Sequence, residues 1–151
     1  MCTAGACWQS VGNGTYDAAW QLWQGNCYYF SRRAANWFGA RDQCRRLNGD
    51  LVSLLREAEN NFTRDMFPVY ISHDRLWTGL NELEGLDFRY RVGRTPRRYC
   101  AYATDICVRR WSDGAPVVYD NWDVDNGQPN DAGGAELCVL MTSAGKKLHC
   151  V

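Results

Sequence analysis

Apolar residues recur along this chain with two different periods, and each period predicts a different kind of element. From Trp20 to Phe30, large apolar residues alternate with small or polar ones around a Gly-Asn pair, which predicts a β-hairpin. From Trp37 to about Leu47, apolar residues fall three or four positions apart, so a single buried stripe predicts a helix. Asn36 stands immediately before this helix and is a suitable N-cap.

Two more elements follow from the same pattern. The short apolar run at residues 51–54 predicts a strand after an Asn-Gly-Asp turn. A second helix is expected from about Arg56 to Met66, because Glu57 and Glu59 stand in its first turn, where the helix dipole favours acids. The chain therefore mixes short strands with two helices.

The segment from Asp120 to Cys138 has neither period and is rich in oxygen-bearing side chains. It contains no lysine or arginine. Because Ca²⁺ prefers roughly six to eight oxygen ligands from carboxylates, amides and backbone carbonyls, such a loop suits Ca²⁺ better than Zn²⁺. The acids and amides of this segment are Asp120, Asn121, Asp123, Asp125, Asn126, Gln128, Asn130, Asp131 and Glu136.

Composition narrows the class of protein. With 151 residues the chain is long enough for one domain with a buried core. Lysine plus arginine and aspartate plus glutamate both number 17, so overall charge gives no reason to expect nucleic acid as a partner. Eight cysteines without a paired CxxC motif, together with two histidines, favour disulfides in an oxidising compartment over a zinc framework.

Other features agree with a secreted, extracellular protein. The tripeptides beginning at Asn13 and Asn61 fit the N-glycosylation sequon. The chain has no signal peptide and no long apolar run, so we expect a mature or trimmed ectodomain without a membrane span of its own. Because the start of the chain is rich in small residues, we expect residues 1–19 to be an N-terminal extension and residues 20–151 to be the domain.

Several motifs, taken in order along the chain, resemble those of C-type lectin-like domains. The Leu-Trp-Thr-Gly-Leu-Asn segment at residues 76–81 resembles the family's core strand, and residues 111–114 resemble its Trp-Ser-Asp-Gly turn. The Gln-Pro-Asn triplet at residues 128–130, followed by Glu136 and a cysteine, resembles its calcium and sugar loop. This resemblance implies the long form of an α+β fold, with an N-terminal hairpin, two helices, small antiparallel sheets and a long loop region.

The same resemblance implies roles for particular residues. Gln128 and Asn130 are the implied ligands of both a Ca²⁺ ion and two vicinal sugar hydroxyls, and Glu136 is the implied next acidic ligand. Pro129 implies a cis peptide bond after Gln128, which would turn the two flanking side chains toward one point. Asp131 is an implied member of the sugar site.

Three departures from the family pattern weaken the implied calcium site. The triplet has neutral amides at both ends, so it matches neither the mannose-type nor the galactose-type triplet and predicts weak Ca²⁺ affinity. The accessory calcium site implied at Asp131 and Glu84 lacks one of its usual acids. The family's Trp-Asn-Asp triplet after Cys138 is absent, and Lys146 and Lys147 fall near its place. Either the calcium ligands have been lost by deletion, or the C-terminal part of the domain is incomplete.

Between residues 82 and 111 the chain is longer than the family pattern. Cys100 and Cys107 bracket six residues and are predicted to close a local disulfide across a hairpin. Seven arginines accompany one acid in residues 89–110, which predicts either a surface for a sulfated glycan or acidic protein, or a soluble basic ribbon. The arginines of the candidate anion patch are Arg94, Arg97, Arg98, Arg109 and Arg110.

The remaining cysteines have partners that only the resemblance implies. The implied pairs are Cys7–Cys27 and either Cys138–Cys150 or Cys44–Cys150. Cys2 is left over in both cases, so it binds either the remaining cysteine or a second chain.

Two functions from different classes remain. One is an extracellular carbohydrate-recognition module that binds glycans or glycoproteins, helped by a weak Ca²⁺ site and, because single sites bind sugars weakly, by an oligomer. The alternative is a calcium-independent protein-interaction or structural module of a larger extracellular assembly. We expect no catalytic residues, because nucleophile-elbow, P-loop and zinc-protease motifs are absent. Asp123 and Asp125 could form a glycosidase pair, but neighbouring loop carboxylates are more often solvated or metal-bound.

Overall fold

Two four-stranded sheets, two α-helices and a short 3-10 helix (Val124–Asn126) are seen in the part of the chain that the structure describes. The structure is a computed structural model, and the residues it describes are 1–5, 20–70, 75–82, 109–130, 136–142 and 148–150. Their side chains are described except at residues 67–70, 149 and 150.

The first sheet contains the predicted hairpin. Strands β2 (Trp20–Trp23) and β3 (Asn26–Tyr29) are joined by a two-residue turn in which Gln24 and Gly25 have positive φ angles of 46° and 83°. A turn with two left-handed residues matches the right-handed twist of the paired strands, which explains its tight closure. The turn lies one residue earlier than the predicted Gly-Asn pair.

The first residues of the chain form a strand that the sequence did not predict. β1 (Cys2–Ala4) lies between β3 and β4 (Asp50–Leu51), in the strand order β2-β3-β1-β4. Met1 is 5% exposed and Cys2 is 2% exposed, so residues 1–5 pack with the domain rather than extending from it. The rest of the expected extension, residues 6–19, lies outside the described residues.

Both helices begin where the sequence predicts. The Oδ1 atom of Asn36 accepts a hydrogen bond of 2.8 Å from the backbone N–H of Gly39 and caps α1 (Trp37–Arg46). The second helix, α2 (Glu57–Tyr70), continues past its predicted end. It packs on the hairpin through Phe62, whose ring stacks on Trp23 with centroids 4.9 Å apart.

A buried polar contact also joins the hairpin to α2. The hydroxyl of Tyr28 donates a 2.7 Å hydrogen bond to Glu59, which is itself 7% exposed. Burial, followed by the hydrogen bond to Glu59 and its negative charge, raises the pKa of Tyr28 well above its ordinary value. The fold therefore keeps Tyr28 neutral over the physiological pH range.

The second sheet follows the strand order β6-β5-β7-β8. Its strands are β5 (Arg75–Asn81), β6 (Arg110–Trp111), β7 (Cys138–Thr142) and β8 (Leu148–Cys150). β5 confirms the predicted core strand. Gly79 in this strand has no room for a side chain. A Cβ atom at Gly79 would lie 2.9 Å from the Leu51 carbonyl oxygen and 2.7 Å from the Ser112 hydroxyl.

The cysteine pairing differs from the expected scheme. Cys2 on β1 forms a disulfide with Cys44 on α1, so the alternative Cys44–Cys150 is wrong and Cys2 binds within its own chain. The alternative Cys138–Cys150 is not formed in the described part of the chain. The register of β7 and β8 places Cys150 opposite Val139 rather than opposite Cys138.

The remaining predicted pairs include cysteines outside the described residues. Cys27 is disulfide-bonded, but its predicted partner Cys7 lies outside the described residues. Cys100 and Cys107 also lie outside them, so the hairpin disulfide stays a prediction.

Candidate functional site: the loop before the second sheet closes

The long loop begins at a turn that is fastened to the first sheet and to α1. Ser112 donates a 2.7 Å hydrogen bond to Asp50 on β4, and Arg41 on α1 pairs with the same carboxylate, with its Nε atom 3.1 Å from Oδ1. The Arg41 guanidinium also donates to the carbonyl oxygen of Ser112. On the other side of the turn, Ser53 donates a 2.8 Å hydrogen bond to Asp113. The predicted Trp-Ser-Asp-Gly turn is thus held from both sides.

The middle of the loop is held by the last strand. Leu148 on β8 donates its backbone N–H to the Asn121 carbonyl at 2.8 Å, and the Asp123 N–H donates to the Leu148 carbonyl at 3.2 Å. Trp122 and Leu148 form an isolated parallel bridge between these two contacts. Strand β8 therefore positions the loop at Asp123.

Asp123 organises the turn that follows. Its carboxylate accepts a 2.7 Å hydrogen bond from the Asn126 side-chain amide, and its carbonyl accepts from the N–H groups of Asn126 and Gln128, both at 3.0 Å. Asp123 is 3% exposed, whereas Asp125 is exposed. A carboxylate enclosed in this way stabilises a turn, so the pairing of Asp123 with Asp125 as glycosidase groups has no support in this geometry.

The predicted triplet lies at the outer edge of this turn. The peptide bond between Gln128 and Pro129 is cis, as predicted. Pro129 and Asn130 are exposed, and Gln128 is half-buried while its N–H is held by Asp123. The loop therefore exposes Pro129 and Asn130, with Gln128 partly buried beside them, on a backbone with defined hydrogen bonds.

The acidic residue of the implied ligand set lies just before β7. Glu136 is half-buried, and its Oε2 atom is shielded from solvent. The next residue, Leu137, accepts a 2.9 Å backbone hydrogen bond from the N–H of Glu82 at the end of β5. Asp131 and Glu84 lie outside the described residues, so their roles in the sugar site and the accessory calcium site stay predictions.

One arginine of the candidate anion patch has a different environment from the one expected. The Nε atom of Arg109 lies 2.7 Å from Glu82 Oε1, and its guanidinium carbon lies 4.8 Å from the centre of the Trp122 ring. The Arg109 side chain is 23% exposed, because it is enclosed between these two partners. Arg110 is exposed, and Arg94, Arg97 and Arg98 lie outside the described residues.

The donor types at this edge suit Ca²⁺, but the charge is low. Amide carbonyls and a carboxylate are oxygen ligands that Ca²⁺ takes, so the implied set of Gln128, Asn130 and Glu136 has suitable donor types and stays a prediction as a ligand set. Within the described ranges, no group of three or more His, Cys, Asp or Glu side chains could hold a metal ion. With one carboxylate among the three, such a site would hold Ca²⁺ weakly.

Of the predicted glycosylation sites, only Asn61 is described. It lies inside α2, where its side-chain oxygen accepts a 2.9 Å hydrogen bond from Arg64. Thr63 of the same sequon is fully buried and donates to the Glu59 carbonyl. A glycan on Asn61 thus stays a prediction on a helix rather than on an exposed loop, and Asn13 lies outside the described residues.

Sequence and structure comparisons place this arrangement in a known family. The model of the lectin C-type domain matches residues 33–104. The cow C-type carbohydrate-recognition domain of CD23, solved in the presence of a GlcNAc2Man3 oligosaccharide, is 31% identical with a TM-score of 0.64, over 91% of this chain and 85% of that one. The chain belongs to the C-type lectin-like domain family, whose fold it has.

Two further comparisons limit what the family implies. The mouse low affinity immunoglobulin epsilon Fc receptor is 32% identical over 84% of this chain, which spans 30% of the receptor's length. A calcium-independent type II antifreeze protein has the same fold, with 22% identity and a TM-score of 0.64 over 91% of this chain and 85% of that one. The fold thus occurs in a protein that is described as calcium-independent.

Domains of this family are commonly extracellular binding modules rather than enzymes. In the described ranges, no helix is both long and apolar enough to cross a membrane.

Proposed function

We propose that this domain is an extracellular carbohydrate-recognition module whose contact surface is the edge formed by Gln128, Pro129 and Asn130. The observation that carries the proposal is the cis Gln128–Pro129 bond between two amide side chains, on a turn held by buried Asp123. Each amide offers one carbonyl acceptor and two N–H donors, which is the pattern that a pair of vicinal hydroxyls requires. The protein partners would be glycoproteins that carry such sugars.

Calcium would assist this contact without dominating it. Bound Ca²⁺ would supply a Lewis-acidic centre that also coordinates the sugar hydroxyls. The chain's own contribution is the carbonyl oxygens of Gln128 and Asn130 and the carboxylate of Glu136, with Asp131 as a further proposed member. Because affinity for Ca²⁺ rises with ligand charge, we expect half-saturation at roughly millimolar concentration, as for other extracellular sites.

The low affinity of a single sugar contact requires several copies for useful binding. A shallow, exposed edge forms few contacts with one saccharide, so avidity from an oligomer or a larger assembly would supply the remainder. The oligomeric state is therefore part of the proposal.

The test is a glycan array probed with a multimerised form of the domain, with Ca²⁺ or with EDTA. We expect binding that weakens at least tenfold in Asn130→Ala and in Gln128→Ala, because each loses a donor and an acceptor. The matched control is Val118→Ala on the same long loop, where the side chain is 71% exposed and offers no polar group. Binding that survives both amide variants would contradict the proposed contact surface.

A second candidate function is a calcium-independent module for protein interaction. The low charge of the implied ligand set favours it, and the calcium-independent antifreeze protein has the same fold. It predicts no saturable heat of Ca²⁺ binding in titration calorimetry up to millimolar concentration, and no glycan bound on the array. A glycan-binding module with a weak calcium site predicts a saturable heat of Ca²⁺ binding that EDTA abolishes.

Sulfated glycans or an acidic protein surface are the proposed partners of the arginine-rich segment. Arg94, Arg97, Arg98 and Arg110 carry this proposal, since Arg109 is enclosed by Glu82 and Trp122. The double variant Arg97→Ala plus Arg98→Ala should elute from heparin at lower salt than the wild-type domain. Unchanged elution would remove the anion patch.

A further inference from the structure

The enclosed guanidinium of Arg109 lies where three parts of the domain meet. Arg109 precedes β6, Glu82 follows β5, and Trp122 lies in the long loop. The Nε atom of Arg109 is 2.7 Å from Glu82 Oε1, and its guanidinium carbon is 4.8 Å from the Trp122 ring centre. Glu82 is 10% exposed at its side chain, so the ion pair is largely withdrawn from water. Arg109 therefore links the second sheet to the loop through two different contacts.

Backbone hydrogen bonds connect the neighbour of Trp122 in the chain to the proposed sugar edge. Asp123 is that neighbour, and the carbonyl of Asp123 accepts the N–H of Gln128 at 3.0 Å. The same carbonyl accepts the Asn126 N–H, and Gly127 closes the turn with a positive φ of 73°. A rotation at Trp122 would move the Asp123 carbonyl and, with it, the backbone of Gln128.

We propose that Arg109 is a positioning residue that fixes the Gln128–Pro129–Asn130 edge from within the protein, so that the edge keeps its shape without Ca²⁺. The proposal rests on the proposed function only in taking this edge as the sugar contact. A guanidinium is a permanently charged plane that can stack on an indole and pair with a carboxylate at once. Ca²⁺ bound at the edge would then contribute to the sugar contact and not to the order of the loop.

A lysine in place of Arg109 should retain only one of its two contacts. A lysine ammonium can pair with Glu82, but it lacks the flat surface that covers the Trp122 ring. Arg109→Lys should therefore keep the ion pair and lose the stacking, whereas Arg109→Gln should lose the charge altogether. Arg110→Gln is the matched control, because it removes the same charge from the adjacent, exposed residue.

The experiment is amide hydrogen exchange of the 151-residue chain, in Ca²⁺ and in EDTA. The reporting amides are those of Asn126, Gly127 and Gln128, which donate to backbone carbonyls in the loop, and that of Asp123, which donates to the Leu148 carbonyl on β8. We expect equal protection in Ca²⁺ and in EDTA for the wild-type domain. Exchange at these amides should rise about tenfold in Arg109→Gln and less in Arg109→Lys, with no change in Arg110→Gln.

The amides of β5 and β7 in the same samples show whether a variant has lost only loop order or the whole fold. If Arg109→Gln does not fold, the comparison of Arg109→Lys with the wild type carries the same test. Equal exchange in all variants, or wild-type protection that needs Ca²⁺, would overturn the proposal. A wild-type domain that binds no glycan on the array while it shows the expected exchange pattern would refute the proposed function and leave the positioning role intact.

Discussion

Two arginines fasten the long loop region to the rest of the domain, and they do so by different means. Arg41 pairs with Asp50 and also donates to the Ser112 carbonyl, so hydrogen bonds with defined directions hold its guanidinium. Arg109 pairs with Glu82 and covers the Trp122 ring, so one ion pair and one stacking contact hold it. Their side chains are similarly enclosed, at 25% and 23% exposed.

The two arginines hold different parts of the domain. Arg41 joins α1, β4 and the turn after β6, all of which belong to the packed frame of the domain. Arg109 joins the frame to a turn whose outer edge is exposed. The contacts that stabilise the fold are thus distinct from those that shape the proposed site, and substitutions should separate them.

The largest effect is expected from the Cys2–Cys44 disulfide. It closes a separation of 42 residues, and the loop-entropy relation gives about 4 kcal/mol for a closure of this length. The double variant Cys2→Ser plus Cys44→Ser should lower the free energy of unfolding by this amount in urea titrations. The ratio of amide hydrogen exchange in the long loop to that in the packed frame should stay unchanged. Selective loss of protection at Asp123 and Gln128 would contradict the separation of frame from loop.

A smaller loss is expected when Arg41 is replaced. Arg41→Ala removes the ion pair and the bond to the Ser112 carbonyl, and we expect the free energy of unfolding to fall by about 2 kcal/mol. Arg46→Gln on the same helix serves as the control, because the Arg46 side chain is 79% exposed. Equal unfolding midpoints for the two variants would show that the Arg41 contacts add no stability.

The pH dependence of stability tests the frame at the hairpin. Burial and the Glu59 contact raise the pKa of Tyr28 above its ordinary value, so the unfolded chain releases this proton first as pH rises. The part of the free energy of unfolding that comes from the raised pKa of Tyr28 is thus fully present below about pH 10. Above that pH it falls by about 1.4 kcal/mol per pH unit. In urea titrations above about pH 10, the free energy of unfolding of Tyr28→Phe should therefore fall less steeply with pH than that of the wild type. Parallel curves would mean that Tyr28 ionises alike in both states.

The smallest effect on global stability is expected from Arg109. Arg109→Gln should lower the free energy of unfolding by about 1 kcal/mol, because it breaks one ion pair and one cation–π contact while the glutamine amide still offers Glu82 a hydrogen-bond donor. The same urea titration measures it beside Arg41→Ala. A loss larger than that of Arg41→Ala would place Arg109 in the frame and remove the contrast between the two regions.

Local sequence rules predicted the parts of the fold that local contacts determine. The start of α1 follows from the Asn36 cap, and the hairpin from alternation of apolar residues around a turn. The cis bond at Pro129 followed from the family resemblance, since proline lowers the energy difference between cis and trans.

Long-range pairing accounts for most of what was missed. β1 has three residues, too few for a period, and it exists because β3 and β4 flank it. One of the two pairings that the resemblance implied gave Cys44 a partner near the end of the chain, Cys150, whereas the structure pairs Cys44 with Cys2 on β1. A three-residue strand that is fixed by its neighbours leaves little trace in the sequence.

The sequence predicted which residues form the candidate site, but not which residues hold the loop that carries them. Gln128 and Asn130 were named from their motif, whereas Asp123 was grouped with solvated or metal-binding acids and Arg109 with an anion patch. Composition counts charges without showing which of them face each other, so the enclosure of Arg109 between Glu82 and Trp122 could not be read from the basic run. The one available indication was an aromatic residue close in sequence to an acid-rich turn.

The most direct measurement of the central claim is the footprint of a bound oligosaccharide in amide hydrogen exchange. With a glycan selected on the array, we expect slower exchange in residues 120–130 and around Glu136, and no change in the hairpin of β2 and β3. This footprint should appear in EDTA as well, at higher glycan concentration. Protection confined to the hairpin or to the arginine-rich segment would contradict recognition at the Gln128–Pro129–Asn130 edge.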